Sequence, residues 1–219
     1  MVGEEVGGRV YRGRSADERA SERRRRMLDA AVELFGGRGY PGTSIGELCT
    51  AARVSYRSFY EEFGALDQLL IAAVDEFDAR AAERVVAALV ETDEADFATR
   101  AAVTFRAFLA ATCPSRKAAR MCFVEIVRVA DTVEIWRRER RRRFARLFVS
   151  QAEIAAERGE IASRPFAFAA IATMGAVIYA IQEWVNAEPV FAEFVGADTD
   201  ELADQLARIY LDAVGPLLP

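Results

Sequence analysis

Two helix starts lie eleven residues apart between Thr43 and Phe63, and that spacing allows little besides a pair of short helices. Ser44 and Glu47 form a Ser-x-x-Glu capping box, which predicts a helix from Ile45. Ile45, Leu48 and Cys49 then fall at i, i+3 and i+4, one apolar face. The pattern fails near Ala52–Arg53 and restarts at Val54 and Ser55. Ser55 can cap a second helix, with Val54 packing back as a staple. On that helix Phe59 and Phe63 are four apart and should face inward, leaving Tyr56, Arg57 and Tyr60 on the wet face. Such a pair is either a small helical hairpin or a helix-turn-helix, whose second helix enters the DNA major groove.

The stretch Arg25–Phe63 resembles the DNA-binding head of the tetracycline-repressor (TetR) family of transcription regulators. The matching features are AA-x-ELF-x-x-x-GY (Ala30–Tyr40), Thr-Ser-Ile (Thr43–Ile45), Ala-x-Val-Ser (Ala52–Ser55) and Phe-Tyr-x-x-Phe (Phe59–Phe63). Several separated features in register make the resemblance specific, and it covers the first third of the chain. It implies an all-α fold: a three-helix head, residues 15–66, and a helical effector-binding and dimerisation body, residues 67–219. It further implies a homodimer, a palindromic duplex operator and a small lipophilic effector.

Composition agrees with the class. Hydrophobic residues make up 52% of the 219, Pro is scarce, and strand-type alternation is nearly absent, so the chain should be all-α. The N-terminus is charged and Gly-rich, with no apolar core of a signal peptide. The three cysteines, Cys49, Cys113 and Cys122, lack metal spacing and suggest reduced, buried thiols in a cytoplasmic protein. Histidine is absent, which removes the commonest general base and metal ligand. The expectation is no enzyme, no metal and no cofactor. The net charge of −5 argues against a polyanion partner, but it sits in the body; residues 1–66 hold 11 Arg against 10 acids. A near-neutral head suits DNA only if its arginines share one face.

Along the chain, residues 1–14 read as a flexible arm. A first helix should run from Ala16 to Phe35, with Arg23–Arg26 as either solvated surface or phosphate contacts. Gly37, Gly39 and Gly42 match G-x-G-x-x-G, yet a helix precedes them and Pro41 interrupts, so they form a helix end and loop, not a dinucleotide site. A long helix follows over Asp67–Thr92. The resemblance makes it the lever between head and body. The body should hold helices at Ala95–Thr112, Ser115–Ala130, Thr132–Arg158, Phe166–Asn186 and Thr199–Val214, about nine in the whole chain.

Arg57 is the candidate base reader, because a guanidinium reaches guanine O6 and N7 bidentately. Tyr60 matches a family tyrosine that contacts phosphate. Thr43, Ser44 and Ser55 sit at helix starts that favour phosphate, Tyr56 joins the wet face, and Arg53 lies in the turn. Three positions depart from the family pattern. Arg53 replaces a usual Gly, at about 1 kcal/mol if left-handed. Glu62 replaces a histidine or aromatic, and Leu66 a phosphate-contacting lysine. The last two motivate an alternative: a helical ligand-binding or adaptor protein with little DNA affinity.

No charge occurs from Pro165 to Gln182, a length bordering on a membrane span. The segment is rich in Ala and is bounded by Pro165 and by Gln182–Glu183, so no span is expected. Ala172, Ala176 and Ala180, with Leu202, Leu206 and Ile209 of the last helix, are expected to build a four-helix dimer interface, or else an internal core. Phe105, Phe108, Met121, Phe148, Met174 and Tyr179 are large apolar residues that serve as core. The resemblance adds an effector cavity among them. Glu125 inside MCFVEIVRV needs a partner, either Arg128, Arg106 or a ligand. Arg137–Arg143 should be solvated helix surface beside Trp136 and Phe144.

Overall fold

The computed structural model describes residues 16–127, 129–186 and 198–215. Among them nine α-helices form: α1 (Ala16–Arg38), α2 (Ile45–Ala52), α3 (Tyr56–Glu62), α4 (Leu66–Glu91), α5 (Phe97–Thr112), α6 (Arg116–Arg120), α7 (Asp131–Glu157), α8 (Ala167–Asn186) and α9 (Thr199–Val214). A π-helical turn, Met121–Glu125, continues α6. The chain is all-α, as its periodicity predicts. The proposed arm, residues 1–14, and residues 187–197, which hold most of the break expected from Pro189 to Asp198, lie outside the described residues.

The short helices start where their caps dictate. Ser44 accepts from the Glu47 N–H while Glu47 accepts from the Ser44 N–H at 2.9 Å, a complete capping box. Ser55 accepts from the Ser58 N–H at 3.1 Å and starts α3 at Tyr56. The turn between them depends on Arg53, which is left-handed (φ 54°, ψ 49°). Its N–H reaches the Thr50 carbonyl at 3.2 Å, and the Val54 N–H reaches that of Cys49 at 3.0 Å, closing α2. An L side chain in that conformation is strained by roughly 1 kcal/mol. Arg53→Gly should relieve the strain but loosen the unfolded chain, for a net gain of about 0.5 kcal/mol. Urea unfolding checks this; a loss instead would mean that Arg53 contributes more through contacts than its backbone costs.

Helices α1, α2 and α3 pack on one another, with Phe35, Leu48, Phe59 and Phe63 buried. Helix α1 runs to Arg38, three residues beyond the expected Phe35, and packs against α6 and the π turn. That approach needs glycine: a Cβ on Gly36 would run into the Lys117 carbonyl. Helix α4 packs mainly on α5, α5 on α9, and α8 on both α7 and α9.

Two body expectations need correction. The helix predicted over Ser115–Ala130 is a five-residue α-helix followed by the π turn. The arginine run is not all solvated: Arg140 is only 6% exposed and carries a buried ion pair with Asp78 of α4. Its Nε and Nη2 donate to the two Asp78 oxygens at 2.8 and 2.9 Å, and Nη1 to the Cys122 carbonyl at 3.1 Å. The rings of Phe123, Trp136 and Phe144 surround the guanidinium. Arg143 adds a bond to Asp78 at 3.1 Å. All three cysteines are free and buried, and burial pushes the Cys113 thiol up to about 12.

Candidate nucleic-acid interface and effector cavity

Helix α3 separates its faces as the four-residue spacing predicts. Phe59 and Phe63 are buried, with ring centroids 6.2 Å apart, while Tyr56 and Tyr60 are 56% and 54% exposed. The Arg57 side chain is 86% exposed and donates Nε to Glu61 at 2.8 Å. That bond and the Glu61 charge raise the guanidinium above its ordinary value. An exposed i,i+4 pair of this kind contributes little, so it exchanges readily for a stronger acceptor. The Tyr56 hydroxyl lies over Gly46 of α2, where any Cβ would collide with it.

Ser44 and Ser55 are exposed at the starts of α2 and α3, and Arg53 is exposed in the turn. Thr43 is a correction. It is buried, and its hydroxyl donates to the Gly39 carbonyl at 3.0 Å, so its side chain closes the preceding loop and is not at the surface. The two remaining departures have intrachain duties. Glu62 accepts from Arg24 of α1 at 2.7 Å, and the Arg24 guanidinium lies over the Phe63 ring. Leu66 opens α4 and packs partly buried against the core.

In the body, Val85, Thr104, Phe105, Phe108, Phe144, Leu147, Phe148 and Met174 enclose a wholly apolar cavity of about 20 Å³. That is room for about one water, far less than an effector needs. Four of these residues, Val85, Phe108, Phe144 and Leu147, also line an adjoining open groove of about 550 Å³ between α4 and α7, with Asp75, Asp78 and Arg143 at its edge. Asp75 accepts from the Trp136 indole at 3.2 Å, and burial raises its carboxyl above the ordinary aspartate range.

The model of the bacterial regulatory proteins of the tetR family matches residues 27–73, from within α1 into α4. That stretch, 47 of the 219 residues, is similar to the N-terminal part of the TetR family. Members are DNA-binding transcription regulators. Solved structures share the fold along most of the chain. A tetR-family regulatory protein from Rhodococcus RHA1 superposes with a TM-score of 0.65 at 20% identity, covering 88% of this chain and 97% of that one. FadR of Bacillus subtilis, solved with stearoyl-CoA, gives 0.71 at 15% identity, over 86% and 98%. AibR, solved with isovaleryl coenzyme A and operator DNA, gives 0.61 at 21% identity, over 84% and 96%. No curated relative matches the sequence.

In the body the structure brings Phe105, Phe108, Phe148 and Met174 together at the cavity. Three pocket candidates fall elsewhere. Met121 is wholly buried in the π turn and is not part of the cavity wall. Tyr179 is exposed on the outer face of α8. Glu125 faces the N-terminal helices: it accepts from Arg120 Nε and from the Tyr40 N–H, both at 2.8 Å. Of the expected partners, Arg106 pairs with Asp204 instead, and Arg128 lies outside the described residues.

The candidate dimer residues also divide. Leu202 and Leu206 are buried within the chain on α9, which packs on α5 and α8, so they cannot meet a second copy directly. Ile209 is exposed, as is Ala172, while Ala176 and Ala180 are half-buried. The apolar line that α8 presents to solvent is Phe168, Ile171, Ala172, Gly175 and Tyr179, with Phe168 82% exposed.

Proposed function

We propose that the chain is a homodimeric repressor held on a palindromic duplex operator and released by a small apolar effector. Residues 15–66 would be the DNA-binding head and residues 67–219 the effector-binding and dimerisation body, acting in the cytoplasm. The observation that carries this reading is the outward face of α3, where Tyr56, Arg57 and Tyr60 project together while Phe59 and Phe63 anchor the helix. Arg57 would leave Glu61 to read a base, and Tyr56, Tyr60 and the Ser44 and Ser55 helix starts would meet phosphates.

The small size of the cavity supports a release mechanism based on differential affinity. An effector entering from the α4–α7 groove must part Phe108, Phe144 and Leu147 to lodge among the rings. The conformation that accommodates it is therefore different from the one described here, and binding selects it. Given the ligands of FadR and AibR, the first effectors to try are acyl groups, free or carried on coenzyme A, with the apolar acyl chain as the part that enters the cavity. The exposed apolar line of α8 supports a second copy as its cover, not lipid, because the opposite face packs into the chain's own body.

Selection from a random duplex pool tests the reading: one palindromic site should be enriched. Arg57→Ala should then lose about 1–3 kcal/mol of base discrimination, roughly 5- to 150-fold, with dimer mass unchanged. Retention of wild-type specificity would remove Arg57 from base reading. No enrichment at low salt would favour the helical adaptor reading instead.

A further inference from the structure

The π turn Met121–Glu125 packs on Phe108 of the cavity wall and on α1, and side chains of other helices bond to its backbone. A π turn carries one more residue than an α turn and is often a functional feature. Here two of its carbonyls are held by side chains from other helices. Arg140 of α7 donates to the Cys122 carbonyl at 3.1 Å, and Gln182 of α8 donates to that of Phe123 at 2.8 Å. The Phe123 ring meets Phe108 edge-on at 6.4 Å, and Phe108 is part of the cavity wall.

At the far end of the turn the Glu125 side chain is 9% exposed and grips the loop between α1 and α2. One oxygen takes the Tyr40 N–H; the other takes Arg120. Gly39, with φ +94°, leaves just enough room, since a Cβ there would lie 3.0 Å from the carboxylate. That loop leads directly into Thr43 and the Ser44 cap of α2. A ring contact, the backbone of the turn and a hydrogen bond therefore join Phe108, Phe123, Glu125 and Tyr40 in sequence.

We infer that Glu125 is a positioning residue for DNA binding, transmitting the state of the cavity to the helix-turn-helix through the π turn, in parallel with the α4 lever. This rests on the regulator reading proposed above and concerns its regulation. An effector that displaces Phe108 shifts Phe123 and the turn, and the Glu125–Tyr40 bond carries the shift to α2 and α3. Both ends are packed, so the coupling works through discrete arrangements of one element.

The test uses the operator enriched from the duplex pool and the full-length dimer. Glu125→Ala should bind it about tenfold more weakly with unchanged mass and helical content, and Glu125→Gln, which keeps an acceptor for Tyr40, should recover most of the loss. Phe108→Trp overfills the cavity and should also weaken binding about tenfold, yet add little in the Glu125→Ala background. Met174→Phe replaces it should Phe108→Trp fail to give a dimer. Losses that multiply, or a folded Glu125→Ala dimer with wild-type affinity, overturn the inference alone. A wild-type protein that enriches no duplex overturns the parent reading.

Discussion

Arg140→Met should lower stability by about 3–5 kcal/mol. The guanidinium is buried, doubly bonded to Asp78, and enclosed by Phe123, Trp136 and Phe144. Methionine fills much of its volume, so the cavity cost is small and the loss is chiefly electrostatic. Asp78 keeps one bond, from the half-exposed Arg143, and is otherwise a buried charge without compensation. For a chain of this size, each kcal/mol moves the midpoint of thermal unfolding by roughly 2–4 °C, so a fall of about 10 °C is expected. The double variant Asp78→Leu/Arg140→Met should regain most of it, since apolar replacement of both partners of a buried pair is often neutral. Calorimetry on the three variants decides the matter. A single variant that unfolds within about 2 °C of wild type would show that water reaches the pair. The pair also links α4 to α7 beside the groove, so the restored double variant isolates its role in effector response from its role in folding.

This ion pair marks where the sequence stops being informative. Arg140 stands among six arginines in seven residues, and its neighbours are partly or fully solvated. Nothing local distinguishes it; its partner Asp78 lies 62 residues away on another helix. Local chemistry, by contrast, is legible. Ser44–Glu47 and Ser55 satisfy backbone donors within three residues of themselves, so the starts of α2 and α3 follow from the chain alone. The sorting of α3 into buried Phe59 and Phe63 against exposed Tyr56, Arg57 and Tyr60 needs nothing beyond helical geometry. The π turn leaves no such trace. The carbonyls of Cys122 and Phe123 bond to Arg140 and Gln182, tertiary partners that no window of sequence contains. Helix α8 fails for a different reason. Ala172, Ala176 and Ala180 recur every four residues, but a strict four-residue step drifts about 40° around a helix of 3.6 residues per turn. The alanine line therefore winds from the exposed face to the half-buried flank, and steps of three, four and four reach Phe168, Ile171, Gly175 and Tyr179.

Phe168→Glu, combined with Ile171→Glu, should convert the protein to a monomer and weaken operator binding by about a hundredfold or more. Both side chains are well exposed on α8, at 82% and 64%, so the exchange removes no intrachain packing and should leave helical content and unfolding temperature nearly unchanged. What it removes is the apolar face that a second copy would cover. Specific interfaces bury about 1,200–2,000 Å² in all, and charges at the centre of such a patch must be desolvated without partners. One head offers a short helix, α3, and a few phosphate contacts, which is too little for tight binding alone. Two linked heads make the second half-site encounter intramolecular, and the gain in avidity is about 10²–10⁴. Losing the dimer loses that factor even though every residue of α2 and α3 is untouched. Sedimentation at micromolar concentration and operator titration should change together, with the midpoint of binding rising as the dimer disappears. A variant that sediments as a dimer would place the contact elsewhere on the surface. A monomer with undiminished affinity would mean that one head suffices, and the palindromic operator would go with it.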